Sequence, residues 1–381
     1  MFNLEVGSSL FAGYSADFLL SELGNFFFLT FVLIIFIRLD FLPKKYFLLW
    51  LFFLSTPFFF NYLLFDPNYL SDQFGYTSRL NAIHNGQLIE NITLGRFGFL
   101  TFDNVWFTSY ILSWLPVFST QTITSIAFIH KLSLLISYVY LYKIIDNKLL
   151  SLTLLIPSMI LFSSVSLREV PIIIFSIFSL IFLVKNKYIF SFISILLVFI
   201  LKIQHAPGLL LIFLSYLIGV HKSSFRIMLL IFGLIILSYF AFEFYIPILD
   251  LYRFSFFKED GGNILELYEQ TNYFSFLGMM FSGTIQFLIR PLPTDSGLLG
   301  ALVFFEIFSI YILIYYLVRK LDKKYQGIVY LTVIGVSVTL LMYGYIASNY
   351  GTFSRYRFST IIPLVYLYIY LLTNKEKKNI A

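Results

Sequence analysis

Long apolar runs, broken at short intervals by basic residues, set the rhythm of this chain. A membrane-crossing helix needs about 20 mostly apolar residues at roughly 1.5 Å rise each. Runs of this kind, several of them shorter, predict about eleven spans. They cover residues 23–42, 46–65, 122–143, 149–166, 170–184, 188–201, 206–220, 225–247, 298–318, 327–346 and 358–373. Two intervening stretches are long, 66–121 and 248–297, and both carry amphipathic, helix-like patterns. The remaining connections are short, on the order of 3–8 residues. The pattern therefore predicts an all-α, polytopic helical membrane protein, a single integral membrane domain over 1–381 with no separate soluble domain.

Composition agrees. The 381 residues are 59% hydrophobic and 12% charged, with mean hydropathy +0.86, where soluble domains carry about 25% charged residues. So few charges cannot cover a soluble surface, which excludes soluble, disordered and nucleic-acid-binding classes. Cysteine is absent, which removes disulfides, thiolate metal sites and thiol nucleophiles. The net charge of +6 reflects topology. Lys44/Lys45, Lys143/Lys148, Lys185/Lys187, Lys222/Arg226, Arg319/Lys320/Lys323/Lys324 and Lys375/Lys377/Lys378 fall on alternate connections, and Arg38 joins them. Basic residues gather in cytoplasmic loops, so this side is expected in the cytoplasm, with the N-terminus outside (periplasmic) and the C-terminus inside. No basic segment precedes the first run, so no cleaved signal peptide is expected.

The long outer stretch 66–121 opens with Asp66-Pro67-Asn68-Tyr69-Leu70-Ser71-Asp72-Gln73-Phe74-Gly75-Tyr76. Asp66-Pro67 ends a helix, since the residue before proline avoids the α region. Ser71 or Asp72 can cap a new helix running through Arg79 and His84 to Gly86. On it, Asp72, Tyr76, Arg79 and residue 83 share a stripe. Asp72 reads equally as a cap and as an acid/base group, and His84 as a surface histidine. Trp106 to Phe118 reads as an interfacial or re-entrant helix, because a span there would break the charge alternation.

Two pairs of short apolar segments bring charge toward the membrane. The first turns at Ser163-Ser164-Val165-Ser166-Leu167-Arg168-Glu169-Val170-Pro171, the second at Lys202-Ile203-Gln204-His205-Ala206-Pro207. Ionisable groups in the membrane are costly and usually functional. The plainer readings remain open: Arg168 pairs with Glu169, Lys202 snorkels, and His205 is a satisfied core histidine. A third segment, Ser348-Asn349-Tyr350-Gly351-Thr352-Phe353-Ser354-Arg355-Tyr356-Arg357, precedes the last span. Gly351 permits a turn and Thr352 or Ser354 a cap. Helices beginning near 170, 206 and 358 would then point their positive ends outward. Arg290, in Arg290-Pro291-Leu292-Pro293, sits at the outer end of another span. Arginine forks at helix N-termini suit a phosphate or diphosphate.

No nucleotide-binding, metalloprotease or nucleophile-elbow motif occurs. Glu259-Asp260-Gly261-Gly262-Asn263 could hold a divalent cation but reads better as a solvated turn, with Glu266 and Glu269 on a surface helix. Neither a cofactor nor a metal is called for. Activation must then reside in a lipid-linked donor, whose phosphate leaving group needs positive charge and whose acceptor hydroxyl calls for a carboxylate.

Ser71-Asp72-Gln73-Phe74-Gly75-Tyr76, Ser163-Ser164 through Leu167-Arg168-Glu169, and Gly351-Thr352 through Arg355-Tyr356-Arg357 together resemble the Wzy-type O-antigen or polysaccharide polymerases, within the broader GT-C class of multi-span glycosyltransferases. The resemblance implies a glycosyltransferase of the bacterial inner membrane. It would join undecaprenyl-diphosphate-linked oligosaccharide repeats at the periplasmic face, without nucleotide or obligatory metal, with the bilayer around it and room for a chain-length regulator as partner. It implies Arg168, Arg355 and Arg357 as diphosphate contacts and Asp72 as an acid/base candidate; with Glu169 beside Arg168, the catalytic candidates are Asp72, Arg168 and Glu169. Arg79, Lys202, His205 and Arg290 join the arginines as candidate substrate-binding groups. A lipid-oligosaccharide flippase, a GT-C transferase using polyprenyl-phosphate sugar, and an acyltransferase with an essential histidine are the competing expectations.

Overall fold

The computed structural model describes residues 16–60, 72–86, 104–120, 122–145, 147–260, 272–295, 297–347 and 350–380. Every regular element among them is helical. The chain forms two compact units, Met1–Ile174 and Phe175–Ala381.

In the first unit α1 (Ala16–Arg38) packs along α2 (Phe47–Ser55) and the long α5 (Ile123–Ile144). Two short helices, α3 (Asp72–His84) and α4 (Asn104–Ser113), pack on each other. Thr122 starts α5 with a reciprocal cap: its hydroxyl accepts from Ser125 N, and the Ser125 hydroxyl accepts from Thr122 N. Trp50 and Tyr138 meet edge-on at 5.1 Å, a contact worth about 0.5–1.5 kcal/mol beyond area. α3 starts and stops where the sequence expects, with Gly86 in the left-handed region at φ +82°. Lys143 lies 4.8 Å from the Phe41 ring, so two of the basic connections share one end of this unit.

Two expected spans are broken. The segment 46–65 stops at Ser55; Thr56 bonds Phe53 O and the Ser164 hydroxyl, and Pro57 begins the short helix Pro57–Phe60. The segment 149–166 divides into Lys148–Leu152, a 3-10 turn and α6 (Pro157–Ser163). Ile156 is extended there because proline disfavours helix in the residue before it. From Ser164 to Arg168 the chain is non-helical. α7 (Glu169–Val184) then leads into the second unit.

The second unit is built on close glycine contacts. Its helices are α8 (Tyr188–Leu201), α9 (Ala206–Leu217), α10 (Ser224–Phe240), α11 (Phe242–Asp260), α12 (Tyr273–Ile289), α13 (Gly297–Lys320), α14 (Gln326–Ile346) and α15 (Tyr350–Ile380). α14 lies between α9 and α12. A Cβ on Gly208 would strike the Gly335 carbonyl, and one on Gly283 the Gly344 carbonyl. A Cβ on Gly327 would strike His221 O. Helices in lipid gain little from apolar burial against one another, so small residues that let backbones approach carry the packing.

Three expectations change in this unit. The span 225–247 is bent by 81° between α10 and α11. The long stretch 248–297 carries helices as expected, α11 continuing to Asp260, but α12 is an apolar helix held on α14 through Gly283 rather than an amphipathic one. Its serine, threonine and glutamine lower its hydropathy and hid it from the sequence pattern. The last helix begins at Tyr350, about two turns before 358. Gly351, Thr352 and Ser354 therefore lie within it and make no turn or cap. Phe353 and Tyr356 are buried with Phe287, Leu340, Tyr343 and Ala347, and this packing overrides the local turn signal.

Ile123–Ile144, Gly300–Lys320, Lys323–Ile346 and Gly351–Lys375 are long and apolar enough to cross a membrane, and the bent α10–α11 pair adds a fifth if it is one span. Exposed Phe225, Met228, Phe232 and Phe240 run along α10. These features point to a helical, multi-pass membrane protein.

Candidate functional site

The stretch 163–166, where α6 ends and the chain leaves the helix, is buried and heavily bonded. The buried Lys131 ammonium donates to the Ser163 hydroxyl at 2.6 Å and sits 3.6 Å from the Phe53 ring. Ser164 bonds Thr56 at 2.6 Å. His130 Nδ1 lies 3.1 Å from Val165 O, a contact that requires the proton on Nδ1. Ser166 N donates to Gln73 Oε1 at 3.0 Å, and its hydroxyl donates to Ile123 O. Irregular backbone at membrane depth survives only where protein satisfies it, and these bonds do so. Through Gln73 they also join α3 to this stretch.

Next to that stretch, Arg168 is half-buried and Glu169 fully buried, at the start of α7. Asp72 is exposed in the first turn of α3, while Tyr76 is buried, so the expected stripe does not face one environment. Arg79 lies 6.0 Å from the Trp106 ring and donates to Gly75 O, its own helix. His84 is exposed and 3.1 Å from the Thr120 hydroxyl. Asp66, Pro67 and Ser71 lie outside the described residues, as do residues 261–263, Glu266, Glu269, Ser348 and Asn349.

The second unit gathers the other candidates. α8 ends at Lys202, which is extended, and a 3-10 turn over Ile203–His205 leads into α9. This folds Lys202 and His205 inward, 1% and 3% exposed. The Lys202 ammonium lies 2.9 Å from the centre of the Tyr356 ring and 5.7 Å from that of Tyr343. A ring face attracts a cation, more strongly when water is excluded. His205 Nδ1 bonds the Tyr343 hydroxyl at 2.5 Å, and Nε2 bonds Ser359 at 2.7 Å. Arg355 lies 5.7 Å from the same Tyr356 ring. Arg357, buried, donates through Nη1 to Phe287 O at 2.5 Å and Arg290 O at 2.7 Å, while its buried Nη2 makes no hydrogen bond among the described residues. It thus caps the last carbonyls of α12. Arg290 itself lies 3.9 Å from Asp295.

Lys202, His205, Arg290, Arg355 and Arg357 therefore meet at one end of the second unit. At the other end Asp322 takes Lys324 and Lys375 at 3.0 Å each, Lys375 donates to Lys320 O, and the His221 backbone touches Gly327. Arg355 and Arg357 lie inside α15 rather than above its N-terminus, so the expected helix-end phosphate site at 358 is corrected: those N–H groups are already in the helix.

Sequence reading missed Lys131, whose polar partner Ser163 lies far off in sequence. It missed Tyr343, which looks like an ordinary aromatic member of an apolar run, and Asp250, whose partner is Tyr345; Tyr356 was named only as part of the segment around Arg355 and Arg357, with no role of its own. A small cavity of about 20 Å³ lies below His205, bordered by Gly208, Gly335, Thr339, Ser359 and Pro363 among others. Among the described residues no three His, Asp or Glu side chains gather as metal ligands.

Comparison with protein-family models, curated proteins and solved structures finds no match. The functional reading rests on the site.

Proposed function

We propose that this chain is a glycosyltransferase of the polymerase type, joining polyprenyl-diphosphate-linked oligosaccharide repeats at the outer, periplasmic face of the bacterial inner membrane. The observation that carries the reading is the convergence of Lys202, His205, Arg290, Arg355 and Arg357 at the end of the helices opposite the Asp322–Lys324–Lys375 cluster. In this reading the lysine-rich end is cytoplasmic, in keeping with the distribution of basic loops, and the chain crosses the membrane about eleven times, short helices included.

The chemistry follows from the charges. An acceptor sugar hydroxyl attacks the reducing-end carbon of the growing lipid-linked chain. The new carbon–oxygen bond forms as the bond to the diphosphate breaks, and the electron pair leaves with the diphosphate. Fixed cations in a site that excludes water stabilise that charge without reorganising. Lys202, clamped on Tyr356, and the unbonded Nη2 of Arg357 are suited to the task. Within the first unit, Arg168 and Asp72 are the cation and carboxylate candidates that the sequence resemblance adds.

Single replacement of Arg168, Arg355 and Arg357 with Ala tests the reading, with the surface glycan read as a ladder. Chain extension is expected to fail while the protein accumulates in the membrane. Normal long chains from all three variants would refute the assignment.

A further inference from the structure

A backbone N–H buried away from water needs a partner, and where the chain leaves α6 one such group depends on a distant side chain. Ser164, Val165, Ser166 and Leu167 are at most 1% exposed. Ser164 N still bonds Leu161 O, and Leu167 N turns back on Val165 O at 3.0 Å. Ser166 N takes neither course. It donates to Gln73 Oε1, 93 residues away in sequence, at 3.0 Å. The Ser166 hydroxyl donates to Ile123 O in the first turn of α5. Ser166 is thereby pinned to two helices at once.

Gln73 is itself held firmly. It lies in the first turn of α3 and is 1% exposed. Its carbonyl accepts from the Thr77 hydroxyl at 3.0 Å, one turn on. α3 is tied to α4 by the Ser109 hydroxyl, which donates to Tyr76 O at 3.1 Å. Arg168 follows two residues after Ser166, and its carbonyl accepts from Ile172 N at 3.3 Å in the first turn of α7. Arg168 therefore stands between two anchored points, Ser166 and the start of α7. Two residues of chain span at most about 7 Å, which leaves little slack to aim the guanidinium independently of Ser166.

We propose that Gln73 is a positioning residue for Arg168: its bond to Ser166 N fixes the turn that aims the guanidinium, so that the α3–α4 pair sets this cation in place. This rests on the polymerase reading, in which Arg168 is a diphosphate contact. Gln73 touches no substrate and takes no proton. A fixed donor stabilises departing charge only while it is held in the productive geometry. Loss of the bond therefore appears in turnover rather than in substrate binding.

The test uses full-length chains in a strain lacking the native gene. Chain extension is measured in isolated membranes at varied amounts of that strain's own lipid-linked repeat, per molecule of accumulated protein. Q73M keeps the length of the side chain and removes the acceptor, so kcat should fall by about 100-fold with KM near the parent's. Q73E keeps an oxygen at the same reach and should retain most of the parent rate. Because Gln73 acts through Arg168, Q73M should cost far less on R168K than on the parent; if R168K is itself silent, the comparison of Q73M with Q73E decides. A merely structural bond would lower the amount of protein and leave turnover per molecule unchanged. Parent-like kcat in Q73M, a Q73E no better than Q73M, or equal losses on R168K and on the parent overturns the role of Gln73, and loss of extension in R168A then leaves the polymerase reading standing. Normal extension in R168A beside a silent R357A overturns the role as well, since Gln73 would have nothing to aim. Normal ladders in R168A, R355A and R357A together overturn the polymerase reading itself. If Q73M does not accumulate, Q73N, one methylene short of Ser166, takes its place, and failure of both to accumulate makes the bond a folding requirement and overturns the role.

Discussion

Lys202 carries its charge inside the protein on the face of Tyr356, 2.9 Å from the ring centre. Replacement by Met keeps the stem and removes the cation. K202M should therefore accumulate normally yet slow chain extension by about 100-fold, the range of a lost electrostatic contact at a reacting centre, as read by the glycan ladder against membrane protein level. Asp322 provides a contrast. Hydrogen bonds from Lys324 and Lys375 hold its carboxyl below the usual carboxylate range, against a smaller opposing effect of desolvation. A lowered folded-state value contributes stability above the unfolded value, 3.8, and loses it as pH falls through the folded one. The cluster is open to solvent and screened, so D322N should leave the melting temperature in detergent almost unchanged at pH 7, and any difference from the parent should vanish once the pH falls through the lowered folded-state value. Single residues were unevenly legible. Lys202, His205 and Arg357 stood out because charge is scarce in apolar runs. Lys131 and Asp250 did not, because Ser163 and Tyr345 reach them only through the fold.

At the scale of elements, the glycines of α14 decide how closely its neighbours approach. Gly335 meets Gly208, and Gly344 meets Gly283 and Thr284. Overpacking of this kind costs about 1–3 kcal/mol or more, so G335L and G344V should lower the melting temperature in detergent. Gly233 on α10 faces open space, and G233A should be neutral or slightly stabilising, up to about 1 kcal/mol from helix propensity. Equal melting of all three variants would contradict the packing. Arg357 acts at this scale as well, since it caps α12 through Phe287 O and Arg290 O. R357K, with a single ammonium in place of a planar fork, should loosen the 287–295 segment, seen as faster amide exchange there. The sequence pattern located α5, α8, α9, α13 and α14 within a few residues, because apolar length and flanking lysines signal them. It failed at α6, α12 and the start of α15. In those places a proline, a run of small polar residues and the packing of Phe353 and Tyr356 outweighed the apolar pattern.

Across the whole molecule, the scarcity of charge is the main source of functional information. The alternating basic loops give a two-ended chain, and in the second unit that division is visible: Asp322, Lys324 and Lys375 at one end, Lys202, Arg290, Arg355 and Arg357 at the other. The convergence of the last group was an expectation that sequence alone could not establish, because 202, 290 and 357 are joined only by the crossing of α9, α12, α14 and α15. The most direct test of the central claim is the surface glycan of a strain in which this gene alone is deleted. The account predicts that the ladder of long chains collapses to a single repeat unit and returns with the gene. An unchanged ladder, or loss of even the single repeat, would contradict it.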